Sequence, residues 1–223
     1  MTNLFDQDNE LTEQEIARRL AAARAVHVEP VFSETPYVTE MYPDTPRPAA
    51  VLIPMLRANG DWQILFTRRN AALAEHSGQV AFPGGRADPE DRYPEDTALR
   101  EAREEIGLEP RDVSILGRLT DFITITNYRV TPVVGLIPWP YELRLAHHEV
   151  SRVFTIPLSW LADPANYEER QRLLPPPYAP VSVIYFHPYD GEVLWGASAR
   201  FTLALLSILF PNGSRVGEKK AGS

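Results

Sequence analysis

The chain has 223 residues, 44% of them hydrophobic, a formal net charge of −8 and no cysteine. That length suits one domain with additions, and the missing thiols exclude disulfides, thiolate metal ligands and cysteine nucleophiles. The acidic balance argues against a general nucleic-acid binder, which would carry a basic face, and no window approaches the roughly 20 apolar residues that cross a bilayer.

The first stretch, "MTNLFDQDNELTEQE", is acidic and polar rather than a secretory signal, so a soluble, cytoplasmic protein is expected. "LTEQEIARRLAAARA" opens with the capping-box pair Thr12 and Glu15, and Ile16, Leu20 and Ala23 follow at helical spacing. This amphipathic helix would serve packing or the contact of a homodimer. A proline-rich connector follows, and residues 1–47 together read as an addition to the main domain. "AAVLIPML" and "WQILFTR" read as a hairpin around the turn "RANGD". "GQVAFPGG" is expected as a third strand, and the loop "RADPEDRYPED" leads to a Glu-rich helix. "VSILGRLTDFIT" and "RVTPVVGLIP" would each be a strand, and "VFTIPLSWL" a strand running into a short helix. "VSVIYFHP" and "EVLWG" suggest a hairpin around Asp190-Gly191, and "SARFTLALLSILF" a core helix too short for a membrane. The predicted class is α+β, a mixed sheet between helices (an α/β/α sandwich) with an extra N-terminal helix. Its domain spans residues 48–211, and residues 212–223 form a loose tail.

The stretch "ALREAREEIGL" gathers Glu101, Glu104 and Glu105 on one helix, although like charges at such spacings repel by a few tenths of a kcal/mol per pair. At 100° per residue, Leu99, Ala102 and Ile106 form an apolar stripe, with the three glutamates expected on the opposite side. Gly107 would end the helix, and Arg100 lies within reach of Glu104. Upstream, Gly84-Gly85 can bring backbone carbonyls close to an ion, since no side chain blocks the approach. Carboxylates and carbonyls are the oxygen ligands that a hard divalent cation prefers. An acidic protein that binds a phosphorylated substrate would do so through such a cation.

These residues resemble the Nudix box, G-x5-E-x7-R-E-U-x-E-E-x-G-U, where U is a bulky aliphatic residue. Gly85, Arg100, Glu101, Glu104, Glu105, Gly107 and Leu108 match, with Ala102 at the first U. Asp91 stands for the early Glu, with eight residues rather than seven separating it from Arg100. "LFTRRNAALAEHSGQVAFPGG" is similar to the motif that precedes the box in Nudix coenzyme A pyrophosphatases, matching at Leu65, Thr67, Arg69, Gly78 and Phe82 to Gly85. Phe66, Asn70 and Ala74 depart from it, Ala74 replacing an arginine. "LWGASAR" is similar to the I-W-G-x-T-A-R of the same branch.

The resemblance implies a Mg²⁺- or Mn²⁺-dependent hydrolase that splits a nucleoside diphosphate derivative. Coenzyme A would give 3',5'-ADP and 4'-phosphopantetheine; ADP-ribose, NADH or another dinucleotide is the alternative, and a non-catalytic nucleotide-binding protein the remote one. Glu101 and Glu105 would ligate metal, with Glu104 as a third ligand and a carbonyl from Gly84 or Gly85. Arg100 would orient the glutamates. The water-activating base would be Glu149 or Glu101. Arg69, with Arg68 and Thr67 of the same strand, would meet substrate, guanidinium forks being suited to phosphate oxygens. His147 and His148 lack a partner at metal-ligand spacing, and Trp195 reads as core packing rather than as a stacking platform.

Overall fold

Asn59 and Gly60 both adopt positive φ (54° and 79°), the turn geometry that matches the twist of a two-residue hairpin. They join β2 (Arg47–Ala58) to β3 (Asp61–Arg69) as the expected hairpin, with Ala58 opposite Asp61. The computed structural model describes residues 11–25, 32–33, 37, 41, 44–72 and 78–211. Most of the connector, Ala74, His76 and the tail 212–223 lie outside the described residues.

Strand β2 is the spine of a mixed sheet. It runs parallel to β8 (Tyr128–Leu136) and antiparallel to β3, and its start pairs with β5 (Gly84–Arg86). Pro54 falls between the stretches that pair with β5 and with β3, where a missing N–H costs no ladder bond. Strand β3 also pairs with β4 (Val80–Ala81) and β9 (Val150–Pro157). On the far side β8 pairs with β6 (Ser114–Arg118) and β7 (Phe122–Ile123), and β7 runs parallel to β1 (Phe32–Ser33).

Helices cover both faces. Alternating residues of β2 point to opposite sides: Leu52 and Leu56 meet Ala98, Ala102 and Ile106 of helix α2 (Pro94–Ile106), while Ile53 and Met55 join the larger core on the other side. That larger core includes α1 (Glu13–Ala25), the short α3 (Leu158–Leu161) and α4 (Gly196–Leu209). The class is α+β, a mixed sheet between helices.

Several expectations are refined. "GQVAFPGG" is two short strands, β4 and β5, broken at Phe82-Pro83. "VSILGRLTDFIT" likewise divides into β6 and β7, with a bulge between Ile115 and Gly117. The Asp190-Gly191 turn exists with positive φ at both residues, but its arms meet only through the bridges Tyr189↔Glu192 and Tyr185↔Trp195. The main partner of β11 (Val181–Phe186) is instead β10 (Tyr167–Arg172), antiparallel over six residues.

Helix α1 places Ile16 and Leu20 in the chain's own core, against β6 and α4. Its apolar face is thus used within the chain, which removes the argument for a dimer through it. The β-carbon of Leu20 lies 3.0 Å from where a Cβ on Gly117 would stand. Leu20 is 1% exposed, so Leu20→Ala is expected to cost about 2 to 4 kcal/mol of unfolding free energy, read from the shift in urea midpoint.

Candidate active site

Helix α2 starts at Pro94, whose fixed φ suits a first helical position. The Asp96 carboxylate accepts from the N–H groups of Tyr93 (2.9 Å) and Arg92 (3.0 Å), closing the free N-terminal turn. At the other end Gly107 takes φ 70°, and its N–H donates to the carbonyl of Arg103 (3.0 Å). The Glu95 carboxylate pairs with Arg118 of β6, fastening the first turn to the sheet.

The three glutamates do not share one solvent face. Glu105 is 3% exposed and points toward the sheet. It stands seven residues after Ala98 and three after Ala102, so all three lie on the packed side. Glu101 is half-buried, and Glu104 is exposed. The expectation of carboxylates opposite the apolar stripe therefore holds for Glu104, fails for Glu105, and leaves Glu101 at the boundary.

Burial pushes the carboxyl of Glu105 up to about 8, helped by the charges of Glu101 and Glu149; Arg69 and the N–H of Gly84 pull the other way. Burial also raises Glu101, against the opposing pull of Arg100, while Glu104 and Glu149 add to the rise. Glu101, Glu105 and Glu149 are therefore electrostatic neighbours, although Glu149 lies 44 positions beyond Glu105 in the chain.

The Gly84-Gly85 turn is shaped to this cluster. A Cβ on Gly85 would stand 2.4 Å from Oε1 of Glu101. A Cβ on Gly84 would stand 2.5 Å from the carbonyl oxygen of Ala50 and 2.6 Å from Cα of Val51. The first glycine lets backbone meet backbone, and the second makes room for a carboxylate.

Arg100 is the hub beside the cluster. Its guanidinium donates to Asp91 (3.0 Å), to Glu101 (2.9 Å), to Glu104 (3.3 Å) and to the carbonyl of Arg86 (2.8 Å). Asp91 in turn accepts from the Thr97 hydroxyl (2.9 Å) and the N–H of Asp88 (2.9 Å). These bonds hold the Asp91 carboxyl below its usual range despite burial. The extra residue before the helix leaves an acidic group on Arg100. The sequence marked Asp91 only as a departure, and its contact with Arg100, nine positions on, became visible only in the fold.

Strand β3 sends its consecutive arginines to opposite faces. Arg69 faces the glutamates, and its buried Nε has no hydrogen-bond partner among the described residues. Arg68 faces the other way and pairs with Glu192 (3.3 Å), which Arg152 also holds (3.0 Å). The Thr67 hydroxyl donates to the carbonyl of Ala81 (3.1 Å) inside the sheet. The structure thus brings Arg69 to the cluster and turns Arg68 to the other face, because strand residues alternate in direction, while the Thr67 hydroxyl is taken up by the carbonyl of Ala81. His148 pairs with Glu149 (3.2 Å), and Trp195 stacks on Tyr185 at 5.4 Å between centroids.

A bulge reshapes the strand pair here. Arg68 lies opposite Arg152 and Arg69 opposite Val150, leaving Ser151 as the extra residue of β9. Its hydroxyl donates to the carbonyls of Arg68 (3.2 Å) and Arg69 (3.4 Å). Bulges beside functional sites re-aim side chains, and this one sits between Arg69 and Glu149.

Among the described residues, no three His, Asp or Glu side chains converge tightly enough to enclose an ion by themselves. The donor chemistry nevertheless fits a hard cation. Glu101 and Glu105 offer carboxylate oxygens beside a glycine turn that leaves space at Glu101, and burial raises both, with Glu149 adding to the rise in each. A divalent cation bound there would favour the charged form of both carboxyls.

A family description of the NUDIX domain matches residues 45–176. An uncharacterized Nudix hydrolase NudL of Photorhabdus laumondii is 39% identical over 162 residues, covering 70% of this chain and 81% of that protein. The protein of the same name in Pectobacterium atrosepticum is 37% identical over 161 residues, 69% of this chain and 78% of its own. A solved MutT/nudix family protein from Enterococcus faecalis aligns with a TM-score of 0.47 and 13% identity, covering 93% of this chain and 74% of that one. The match runs through the glutamate helix, the glycine turn and the sheet that carries them, and by it this chain belongs to the Nudix hydrolase family.

Proposed function

We propose that the protein hydrolyses the pyrophosphate bond of coenzyme A or a derivative, releasing 3',5'-ADP and 4'-phosphopantetheine. The observation that carries the reaction is the gathering of Glu101, Glu149 and Arg69 around Glu105, with the buried Nε of Arg69 left without a partner among the described residues. The Leu65–Gly85 motif supports coenzyme A as the substrate.

Nudix hydrolases generally use divalent metal ions; Mg²⁺ or Mn²⁺ is the proposed species. Glu101 and Glu105, with Glu104 and a carbonyl of the Gly84-Gly85 turn, would hold it. A cation bound there would neutralise the anhydride and acidify a water. Arg100 holds the Glu101 carboxylate (2.9 Å) and so would orient it toward a bound cation. Glu149 takes the proton of the attacking water as a P–O bond forms and the bridging P–O bond breaks. Arg69 faces the phosphates with its guanidinium, and its Nε finds in them an acceptor.

Incubation with coenzyme A and Mg²⁺, followed by chromatography, is expected to show 3',5'-ADP, and EDTA to prevent its appearance. ADP-ribose belongs in the same assay, because Ala74 stands where the resembled motif has an arginine. Faster cleavage of ADP-ribose than of coenzyme A would overturn the substrate and leave the reaction standing. No cleavage of either, or of NADH, would overturn both.

A further inference from the structure

We infer that Asn70 is a positioning residue that holds the Glu149 turn in register with the glutamate helix. This rests on the reading of Glu149 as the base. The turn is bonded on two flanks. On one, the N–H of Ala146 donates to the carbonyl of Glu105 (2.9 Å), tying the turn to the last turn of α2. On the other, Asn70 makes three bonds. Its Nδ2 donates to the carbonyl of His147 (2.5 Å), its Oδ1 accepts from the N–H of Ala72 (2.9 Å), and its own N–H donates to the carbonyl of Glu149 (2.7 Å). Inside the turn, the N–H groups of Glu149 and Val150 both donate to the carbonyl of Ala146 (2.8 and 2.9 Å).

The side chain of Glu149 has little else to aim it. It is 42% exposed, and its salt-bridge partner His148 is 78% exposed. Its direction is therefore set by its backbone, and the backbone is set by Asn70, the Ser151 bulge and the end of α2. An amide suits this task because one end must donate across to His147 while the other accepts from Ala72. Alanine offers neither group, and serine keeps an acceptor for Ala72 without the reach to His147.

The test combines Asn70→Ala, Asn70→Ser and Glu149→Gln in the full chain, singly and as Asn70→Ala/Glu149→Gln. The substrate is coenzyme A with Mg²⁺, or ADP-ribose if that is cleaved faster. Both Asn70 variants should lower kcat by roughly tenfold or more with KM little changed. In the Glu149→Gln background, Asn70→Ala should add less than about twofold, because coupled residues are not additive. Amide hydrogen exchange across residues 146–150 should rise in both Asn70 variants, a readout independent of catalysis and metal. Unchanged exchange, or a full additional loss of kcat on top of Glu149→Gln, overturns the inference alone. Wild-type kcat in Glu149→Gln overturns the role of Glu149 as base and this inference with it.

Discussion

Replacing Glu105 by Gln is expected to abolish metal-dependent hydrolysis while making the metal-free protein more stable in alkaline solution. Loss of an outer-shell partner typically costs ten- to a hundredfold, so if Glu105 is the direct ligand proposed above, its loss should lower kcat/KM by more than about 10²-fold. The stability change has the opposite sign. The carboxyl of Glu105 is raised from 4.5 to about 8. Between those values an unfolded chain has released the proton and the folded one keeps it, so folding weakens as pH rises. The penalty is absent below about 4.5 and complete above about 8, on the order of 5 kcal/mol at about 1.4 kcal/mol per unit. Gln has the shape without the charge, so urea midpoints in EDTA should diverge from wild type as pH rises to 8. Parallel curves would show that Glu105 ionises without cost. A substitution that stabilises the fold and removes activity is the behaviour of a site whose charges were gathered for function.

The second large effect is expected from Gly85→Ala. Its new Cβ would overlap the Glu101 carboxylate, with Oε1 at 2.4 Å and Cδ at 2.6 Å. The carboxylate is the far end of a flexible side chain and can move, so the protein should fold with a melting temperature near that of wild type. Hydrolysis should nevertheless fall by about 10²-fold, since a displacement near 1 Å at a catalytic group has that scale. Gly84→Ala offers the contrast. There the clash is with the backbone of Ala50 and Val51 at 2.5 and 2.6 Å, so stability itself should drop. If Gly85→Ala unfolded the protein as readily as Gly84→Ala, the reading of Gly85 as space for Glu101 would be wrong.

The sequence revealed the local parts of this site and missed those that depend on distant contacts. The helix ending at Gly107, the hairpin at Asn59-Gly60 and the glycine pair before the loop all follow from short-range rules of spacing and turn chemistry. The side on which Glu105 lies was also present in the seven-residue step from Ala98, but an apolar stripe drawn through Leu99 pointed the wheel elsewhere. Strand β10, "YEERQR", was invisible because five of its six residues are charged or polar and exposed; it exists because Val181–Phe186 offers it a partner. The separation of Arg68 from Arg69 needed only the alternation of a strand. The Asn70 contacts span 77 residues to His147, and no local pattern announces such a bond.

The way α1 is seated bears on the order in which the protein can be completed. Its Ile16 and Leu20 pack on both β6 and α4, and Arg19 donates to the carbonyl of Leu209, 190 positions later. A ribosome delivers chain from the N-terminus at roughly 5–20 residues per second. Helix α1 therefore emerges first and waits about ten seconds or more for α4. During that wait β6 can cover part of its apolar stripe, and the docking of α4 is the event that completes the cover.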